Sequence, residues 1–501
     1  MKINRKGSRF KTSLILLGAI TCLARASEPA GSTNLLSDEN ALQAFVDRIV
    51  TNRMQQAHVP GAVVTIVKDD KVIFNKGYGF ANLELHTPVD PDKTLFRIGS
   101  VSKVFNAMTV MRLVDEGRID VNEDVRPRLA AACLALDHEA YGPVTLKALL
   151  THSAGIRDLD IPGVTSPTNS DRVLPLAQYL KTCLPLRWQE PGESVLYTDH
   201  GITLAGYVVE LAAKTRFEDA VLQRVVRPLG MTRTCYDVTA DQQTNLAVAY
   251  AYANLRQQAL PFYYTNLKPA AGVLTTGSDM ARLMICHLSN CQGFLKPDTV
   301  KLMHEPQYSD DARLGGQWAC GFYLGNGFQL NHFGGAYGFT SDLGISLRKG
   351  IAVFSVQNEQ GTPSVFLLGD LLDTFSDHDA RTQQSTEPPK PSIAASATVA
   401  DIKSIVGTYV PDRWVSYGFK LSKNDFVHVR YVEDIKGIDV EYPPPFASHL
   451  RLIEVAPLLF RSVQNDKQLS FRMGKDRKRT YLIDYNWKTE GAFIRMPSSD
   501  E

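Results

Sequence analysis

Apolar positions recur with two different periods along this chain, and the changes between them divide it. From Gly61 to Lys68 and from Lys71 to Phe80, β-branched and aromatic residues cluster on either side of the polar pair Asp69-Asp70, which predicts two strands and a hairpin turn. Ahead of them Ala41, Phe45, Ile49 and Met54 fall at helical spacing after a candidate cap at Ser37, which predicts a helix ending near Pro60. Behind them the segment Asn82 to Thr94 is polar, is punctuated by Pro88 and Pro91, and reads as loop. The next run carries Val101, Val104, Phe105, Met108, Val110, Met111 and Leu113 on nearly every helical face, so it predicts a helix buried on all sides and ended by Gly117.

From Val121 to about Ser289 the pattern is mostly helical, and in its last part Ser278 or Asp279 is the expected cap of a helix. After Gly315 the period becomes two: Trp318 to Leu324, Phe328 to Phe333, Thr340 to Leu347 and Ile351 to Gln357 read as strands, with a tight turn at Arg348-Lys349-Gly350. A helix is expected over Ser364 to Phe375. Strands at both ends of a helical middle predict an α/β (α+β) sandwich, one antiparallel sheet flanked by helices with a helical insertion. This domain is expected over residues 37–376, followed by a linker over 377–401 that contains Glu387-Pro388-Pro389-Lys390-Pro391. Residues 402–501 then show only short strand patterns: Ser404–Val410, Gly418–Leu421, Phe426–Tyr431, Leu450–Val455, Leu458–Val463, Leu469–Met473, Thr480–Tyr485 and Ala492–Met496. They predict a small all-β domain, a meander or closed barrel, in which the basic cluster Lys475 to Arg479 is a solvated hairpin tip.

Composition adds bounds. A chain of 501 residues is too long for one core and suggests two or three domains, and 44% hydrophobic with 21% charged residues is the balance of a globular protein. A formal net charge of +1 argues against nucleic acid or an acidic membrane surface as partner. Lys2, Arg5, Lys6, Arg9 and Lys11 precede an apolar run from Thr12 to Ala24, and Ala24-Arg25-Ala26 has the small-x-small form of a signal-peptidase site. Residues 1–26 are therefore expected to be a signal peptide, the mature protein exported (periplasmic or secreted), with no transmembrane span left after cleavage; an uncleaved anchor is the alternative. Six cysteines remain beyond the leader, which permits disulfides in an exported protein but also suits buried thiols. With no CxxC pair and no HExxH, neither a metal nor another cofactor is expected.

Candidate chemistry centres on Phe96-Arg97-Ile98-Gly99-Ser100-Val101-Ser102-Lys103. Residues three apart on a helix share a face, so the Ser100 hydroxyl and the Lys103 amine can meet where the helix begins, as nucleophile and the group that helps deprotonate it. A bare S-x-x-K arises by chance in chains of this size, and Ser102 and Ser153 are ordinary hydroxyls by themselves. Other designs find no support: no G-x-S-x-G surrounds any serine, and there is neither a phosphate-binding glycine loop nor a dinucleotide fingerprint.

The surrounding set carries more weight. Besides the S-x-x-K run, the chain has Leu149-Leu150-Thr151-His152-Ser153-Ala154-Gly155, Tyr197-Thr198-Asp199, Pro228-Leu229-Gly230-Met231, Gly272 to Met280, and His332-Phe333-Gly334 continuing as Gly335-Ala336-Tyr337-Gly338-Phe339. In this order, over about residues 40 to 375, the sequence resembles the serine β-lactamase and penicillin-binding-protein superfamily, in its class C and D-Ala-D-Ala carboxypeptidase branch. The resemblance implies that Ser100 attacks a carbonyl and becomes acylated, that Lys103 and Tyr197 move the proton, and that backbone N–H groups of Ser100 and Gly335 form the oxyanion hole. It places His332, Gly334 and Asp199 beside the substrate. Two positions depart from the pattern. His332 stands where lysine or histidine occurs, which lessens the fixed positive charge. Asp199 stands where the branch has asparagine, and a carboxylate there would hold Lys103 protonated, whereas a base near neutral pH requires its pKa to fall by about three units, or ~4 kcal/mol. A second triplet, Tyr252-Ala253-Asn254, falls after Pro228-Leu229-Gly230-Met231 and is set aside. The C-terminal strands resemble the lipocalin-like domain that follows the catalytic domain in some members. The implied function is an exported serine hydrolase acting on an amide or ester, a D-amino-acid peptide such as cell-wall peptide, a carboxylester or, ranked last, a β-lactam. The alternative is a catalytically weak penicillin- or peptide-binding sensor. The oligomeric state is left open.

Overall fold

The two β-rich runs on either side of Asp69 form a hairpin, β1 (Gly61–Lys68) and β2 (Lys71–Asn82), with Asp69 turning at φ 55°. This computed structural model describes residues 35–359 and 402–496, with short breaks inside each span. The leader expected over 1–26, the helix over 364–375, the linker over 377–401, the strand Gly418–Leu421 and the hairpin tip Lys475 to Arg479 fall outside the described residues.

Strand β1 is buried along almost its whole length because it is central: β2 flanks it on one side and β8 (Ile351–Gln357) on the other. The period of two sends its side chains into two different cores. Val63 and Val67 join the large core beneath the helical region, while Ala62, Val64 and Ile66 pack against Leu42, Val46 and Val50 of helix α1 (Glu39–Gln56). Full burial of each such aliphatic side chain stabilises the layer by about 1.5–3 kcal/mol. The rest of the sheet consists of β3 (Thr87–Pro88), β4 (Gln317–Ala319), β5 (Phe322–Gly325), β6 (Phe328–Ala336) and β7 (Phe339–Ser346). The eight strands run in the order β3-β2-β1-β8-β7-β6-β5-β4, every neighbouring pair antiparallel. The result is the expected sandwich of helices around one antiparallel sheet.

Helix α2 (Ser102–Asp115) lies in the large core with eleven buried residues, as its all-round apolar pattern requires. Helix α3 (Asp199–Ala213) and helix α4 (Gly277–Leu288) belong to the same layer. No helix among the described residues is long and apolar enough to cross a membrane.

Local details correct the sequence reading in several places. The α1 cap is Asp38, one residue beyond Ser37, and its Oδ1 accepts from Ala41 N at 3.0 Å. The α4 cap is Thr276, whose Oγ1 accepts from Asp279 N, while the buried Asp279 carboxylate accepts from Arg233 N at 2.8 Å and Thr234 N at 2.7 Å. The strand expected over Trp318 to Leu324 is a hairpin broken at Gly321, whose φ of +86° suits glycine and whose Cβ would meet that of Ala107. Within the helical region a ribbon of Tyr250–Ala253 and Arg256–Ala259 turns through Asn254 and Leu255, both at positive φ, as a two-residue hairpin turn demands. Tyr252 stacks on His58 there, so the second Tyr-x-Asn triplet forms part of a surface hairpin.

Eight strands, from Gly407–Pro411 to Ala492–Arg495, close into an antiparallel barrel. Alternate residues such as Val429, Val440, Leu452, Phe471, Leu482 and Phe493 fill it. The strand Gly437–Tyr442 belongs to it and is missing from the sequence reading, although Ile438, Val440 and Tyr442 alternate inward. The barrel touches the sheet domain through Arg472, which donates to the backbone carbonyl of Glu193 and lies 3.5 Å from the buried Asp310 carboxylate. The six cysteines beyond the leader are free thiols, Cys133 exposed and the others buried.

Candidate active site

Ser100 occupies a single 3-10 turn, Gly99–Val101, that leads directly into α2. Gly99 makes that turn possible: its φ is +50°, and a Cβ there would press within 2.6–2.8 Å of the Gly335 backbone. The serine is thus placed at the start of a buried helix, with the β6 strand end packed against the residue before it. One turn on, Lys103 is completely buried, and its Nζ lies 2.8 Å from Ser100 Oγ.

The same amine lies 2.6 Å from Asp199 Oδ1 and 3.4 Å from the Ala270 carbonyl. Tyr197 is another hydrogen-bond partner, and its ring centroid is 4.8 Å from Nζ. Burial acts to lower the pKa of Lys103, but the Asp199 carboxylate and Tyr197 outweigh it, and the net shift is upward. The departure at Asp199 therefore has the electrostatic effect its charge implies: the resting amine is an ammonium.

Asp199 is held by the way α3 starts. Thr198 caps the helix, its Oγ1 accepting from Gly201 N at 3.0 Å and donating to Asp158 Oδ1 at 2.6 Å. Asp158 also accepts from the backbone N–H groups of Asp199 (3.0 Å) and His200 (2.7 Å). Burial would raise the pKa of Asp158, yet the bonds from His200 and Thr198 hold it well below the usual carboxylate range. Tyr197 is set by aromatic neighbours: His152 lies 4.3 Å away and Trp318 6.0 Å away, centroid to centroid. His152 Nδ1 accepts from Thr198 N at 3.2 Å.

On β6, His332 is buried and its pKa falls to about 3, first through burial and then through the neighbouring Lys103. Its Nδ1–H donates to the Phe333 carbonyl at 2.8 Å, which leaves Nε2 as a bare acceptor with no partner among the described residues. This position consequently presents a lone pair and no positive charge. Gly334 has no room for a side chain, since a Cβ would sit 2.1 Å from the Ile98 carbonyl, whereas Gly335 faces open space. Ser341 Oγ donates to that same Ile98 carbonyl at 2.8 Å, tying β7 to the turn that carries the serine.

The structure thus brings Ser100, Lys103, Tyr197 and Asp199 together and sets His332, Gly334 and Gly335 along the adjoining strand. Sequence reasoning missed Asp158, whose role arises only when residues far apart in the chain meet. It also missed a cluster elsewhere: His287, Cys291 and His304 bring their ligand atoms within 4.8 Å of one another, with His287 Nδ1 and His304 Nε2 2.9 Å apart. Those residues could hold a soft divalent cation, but they share no residue with the serine site.

Comparison with known proteins agrees with this fold. The chain is 24% identical over 335 residues to Protein flp of Staphylococcus aureus (strain N315), covering 65% of this chain and 65% of that protein. It is 29% identical over 305 residues to the uncharacterized protein MT1414 of Mycobacterium tuberculosis, covering 54% of this chain and 74% of that one. The chain thus spans less than two thirds of the flp proteins' length. The octameric penicillin-binding protein homologue from Pyrococcus abyssi shares the fold, with a TM-score of 0.58 at 20% identity, over 90% of this chain and all of that one. The family model described as Beta-lactamase matches residues 46–373, well over half of the sequence and the whole of the serine cluster, so the chain belongs to the Beta-lactamase family.

Proposed function

We propose that this protein is a serine hydrolase that cleaves an amide or ester through an acyl-enzyme on Ser100. The observation that carries this reading is the buried Lys103 amine in hydrogen-bond contact with the Ser100 hydroxyl. In the proposed reaction Ser100 Oγ attacks the substrate carbonyl carbon, and the developing oxyanion is stabilised by the backbone N–H groups of Ser100 and Gly335. The serine proton leaves through Lys103 and Tyr197. Because Asp199 keeps Lys103 as an ammonium, the amine accepts that proton only as it passes its own to the carboxylate 2.6 Å away. The C–N or C–O bond to the leaving group then breaks, the leaving group takes a proton from the same groups, and water enters to hydrolyse the ester on Ser100.

A D-amino-acid peptide or a carboxylester is the substrate class we favour, with β-lactams below them, because the neutral His332 offers no cation to a β-lactam carboxylate. The basic and apolar start of the sequence supports action outside the cytoplasm. A second reading rests on the Lys103–Asp199 pair itself: with its amine held protonated by the carboxylate, the site would acylate slowly or merely bind, as in a penicillin or peptide sensor. Labelling with a fluorescent penicillin and a fluorophosphonate, with Ser100→Ala as control, separates the readings. Labelling followed by turnover of an aryl ester supports the hydrolase, labelling without release supports the sensor, and no labelling by either reagent rejects acylation.

A further inference from the structure

Three Lys or Arg residues are buried among the described residues, and two have hydrogen-bond partners. Lys103 has Asp199, and Arg187 donates to the carbonyls of Tyr141 at 3.2 Å and Gly142 at 2.5 Å. Arg97 is different. It is 6% exposed, and among the described residues its guanidinium has neither a hydrogen-bond nor an ion-pair partner. It rests on the face of Phe262, 4.7 Å from the ring centroid, and burial lowers its pKa to about 10. An always-charged group largely withdrawn from bulk water, facing only a cavity and no counter-charge, is costly, and a ligand in that cavity can supply the charge.

Arg97 borders a cavity of about 300 Å³. Asn82, Thr87 and Gln243 offer polar atoms on its wall, and Tyr263 stacks on Tyr337 at 4.2 Å to close one side. Among the described residues no acidic side chain lines it. Both segments of the serine site contribute: Arg97 lies three residues before Ser100, on the short strand Phe96–Arg97, and Tyr337 lies two residues after Gly335.

We propose that this cavity is the subsite for a carboxylate at the end of a short acyl chain, with Arg97 as its binding cation. The assignment rests on the serine-hydrolase reading. A planar guanidinium fork matches a carboxylate in two parallel hydrogen bonds. One cation without a second balances a single negative charge, which favours a carboxylate over a phosphate dianion. The aromatic walls suit a short apolar spacer, and an acyl group bound to Ser100 stays beside the segment that carries Arg97. With His332 neutral, Arg97 is the cation that can discriminate an acidic substrate.

The test compares two p-nitrophenyl esters, of glutaric acid with its far carboxylate free and of the matching primary amide. The free acid is expected to be turned over with a kcat/KM about 10–100-fold higher, and Arg97→Gln to remove the difference while sparing the amide ester. In parallel, millimolar glutarate is expected to raise the Tm of the Ser100→Ala protein, and not that of Ser100→Ala/Arg97→Gln. Should Arg97→Gln fail to fold, Asn82→Asp serves instead: it keeps the acceptor for Leu85 N and adds a negative charge to the wall, so it should weaken the glutarate effect. Equal rates for the two esters, a preference that survives Arg97→Gln, or stronger stabilisation by inorganic phosphate than by glutarate would each overturn the proposal. If neither ester is cleaved and Ser100 is not labelled, the hydrolase reading fails, and glutarate binding to the Ser100→Ala protein decides the subsite separately.

Discussion

Lys103 Nζ sits 2.6 Å from Asp199 Oδ1, with the amine fully buried and the carboxylate 30% exposed. The pairing raises the pKa of the amine above its ordinary value of 10.5. Its stabilising effect is therefore fully present below the unfolded value and is lost as pH rises through the folded one. Asp199→Asn removes the counter-charge and lets burial lower the amine's pKa. The expected result is an ascending limb of kcat/KM displaced to lower pH by about 1–3 units, together with lower stability at neutral pH. A pH–rate profile with an aryl ester and urea unfolding at pH 7 measure the two effects; an unmoved limb would mean that the pair does not govern proton transfer.

Adjacent glycines on β6 should respond in opposite ways. Gly334→Ala drives a methyl to within 2.1 Å of the Ile98 carbonyl and 2.4 Å of Ser341 Oγ, neither of which is a flexible chain end. A loss of about 2 kcal/mol or more in denaturant unfolding is expected. The Cβ of Gly335→Val meets nothing within 4 Å, so the fold should persist while the fluorophosphonate labelling rate falls by about 10²-fold.

His332 supplies a pH dependence of the opposite sign to Lys103. Its folded pKa of about 3 lies below the ordinary 6.5, so the unfolded chain binds the extra proton between those values. Stability should fall as pH drops from about 6.5 towards 3, by up to about 1.4 kcal/mol per pH unit. His304, lowered to about 4 by burial, adds to the same slope. Thermal unfolding across this range should show a shallower slope in His332→Gln.

Asp158 gathers the Thr198 hydroxyl and two backbone N–H groups at the start of α3. Asp158→Asn should cost about 1–3 kcal/mol in denaturant unfolding and lower kcat more than it raises KM, since Asp199 loses its fixed position.

The fold class and the serine cluster were legible because each has a local signal. Runs rich in β-branched residues mark β1 and β8 at their full lengths, and S-x-x-K works within one helical turn. Asp158 was not legible: it follows Arg157 in a loop, carries no periodic or motif pattern, and gains its role only when the start of α3 arrives some 40 residues later. Arg97 stood inside the quoted motif, but a sequence cannot show that an arginine lacks a counter-ion. The caps at Asp38 and Thr276 were each misjudged by one or a few residues, because several neighbouring Ser, Thr and Asp residues could fill either role.

Arg472 carries a consequence for how separable the two domains are. Its guanidinium lies beside the Asp310 carboxylate, whose Oδ1 accepts from Val195 N at 2.9 Å, two residues before Tyr197. A fragment ending before the barrel would take that cation away from the Asp310 carboxylate, at the base of the segment that delivers Tyr197 to the site. The boundary between sheet domain and barrel is therefore a boundary in sequence but not in free energy, and a ligand that strained or steadied the barrel would be felt by the tyrosine.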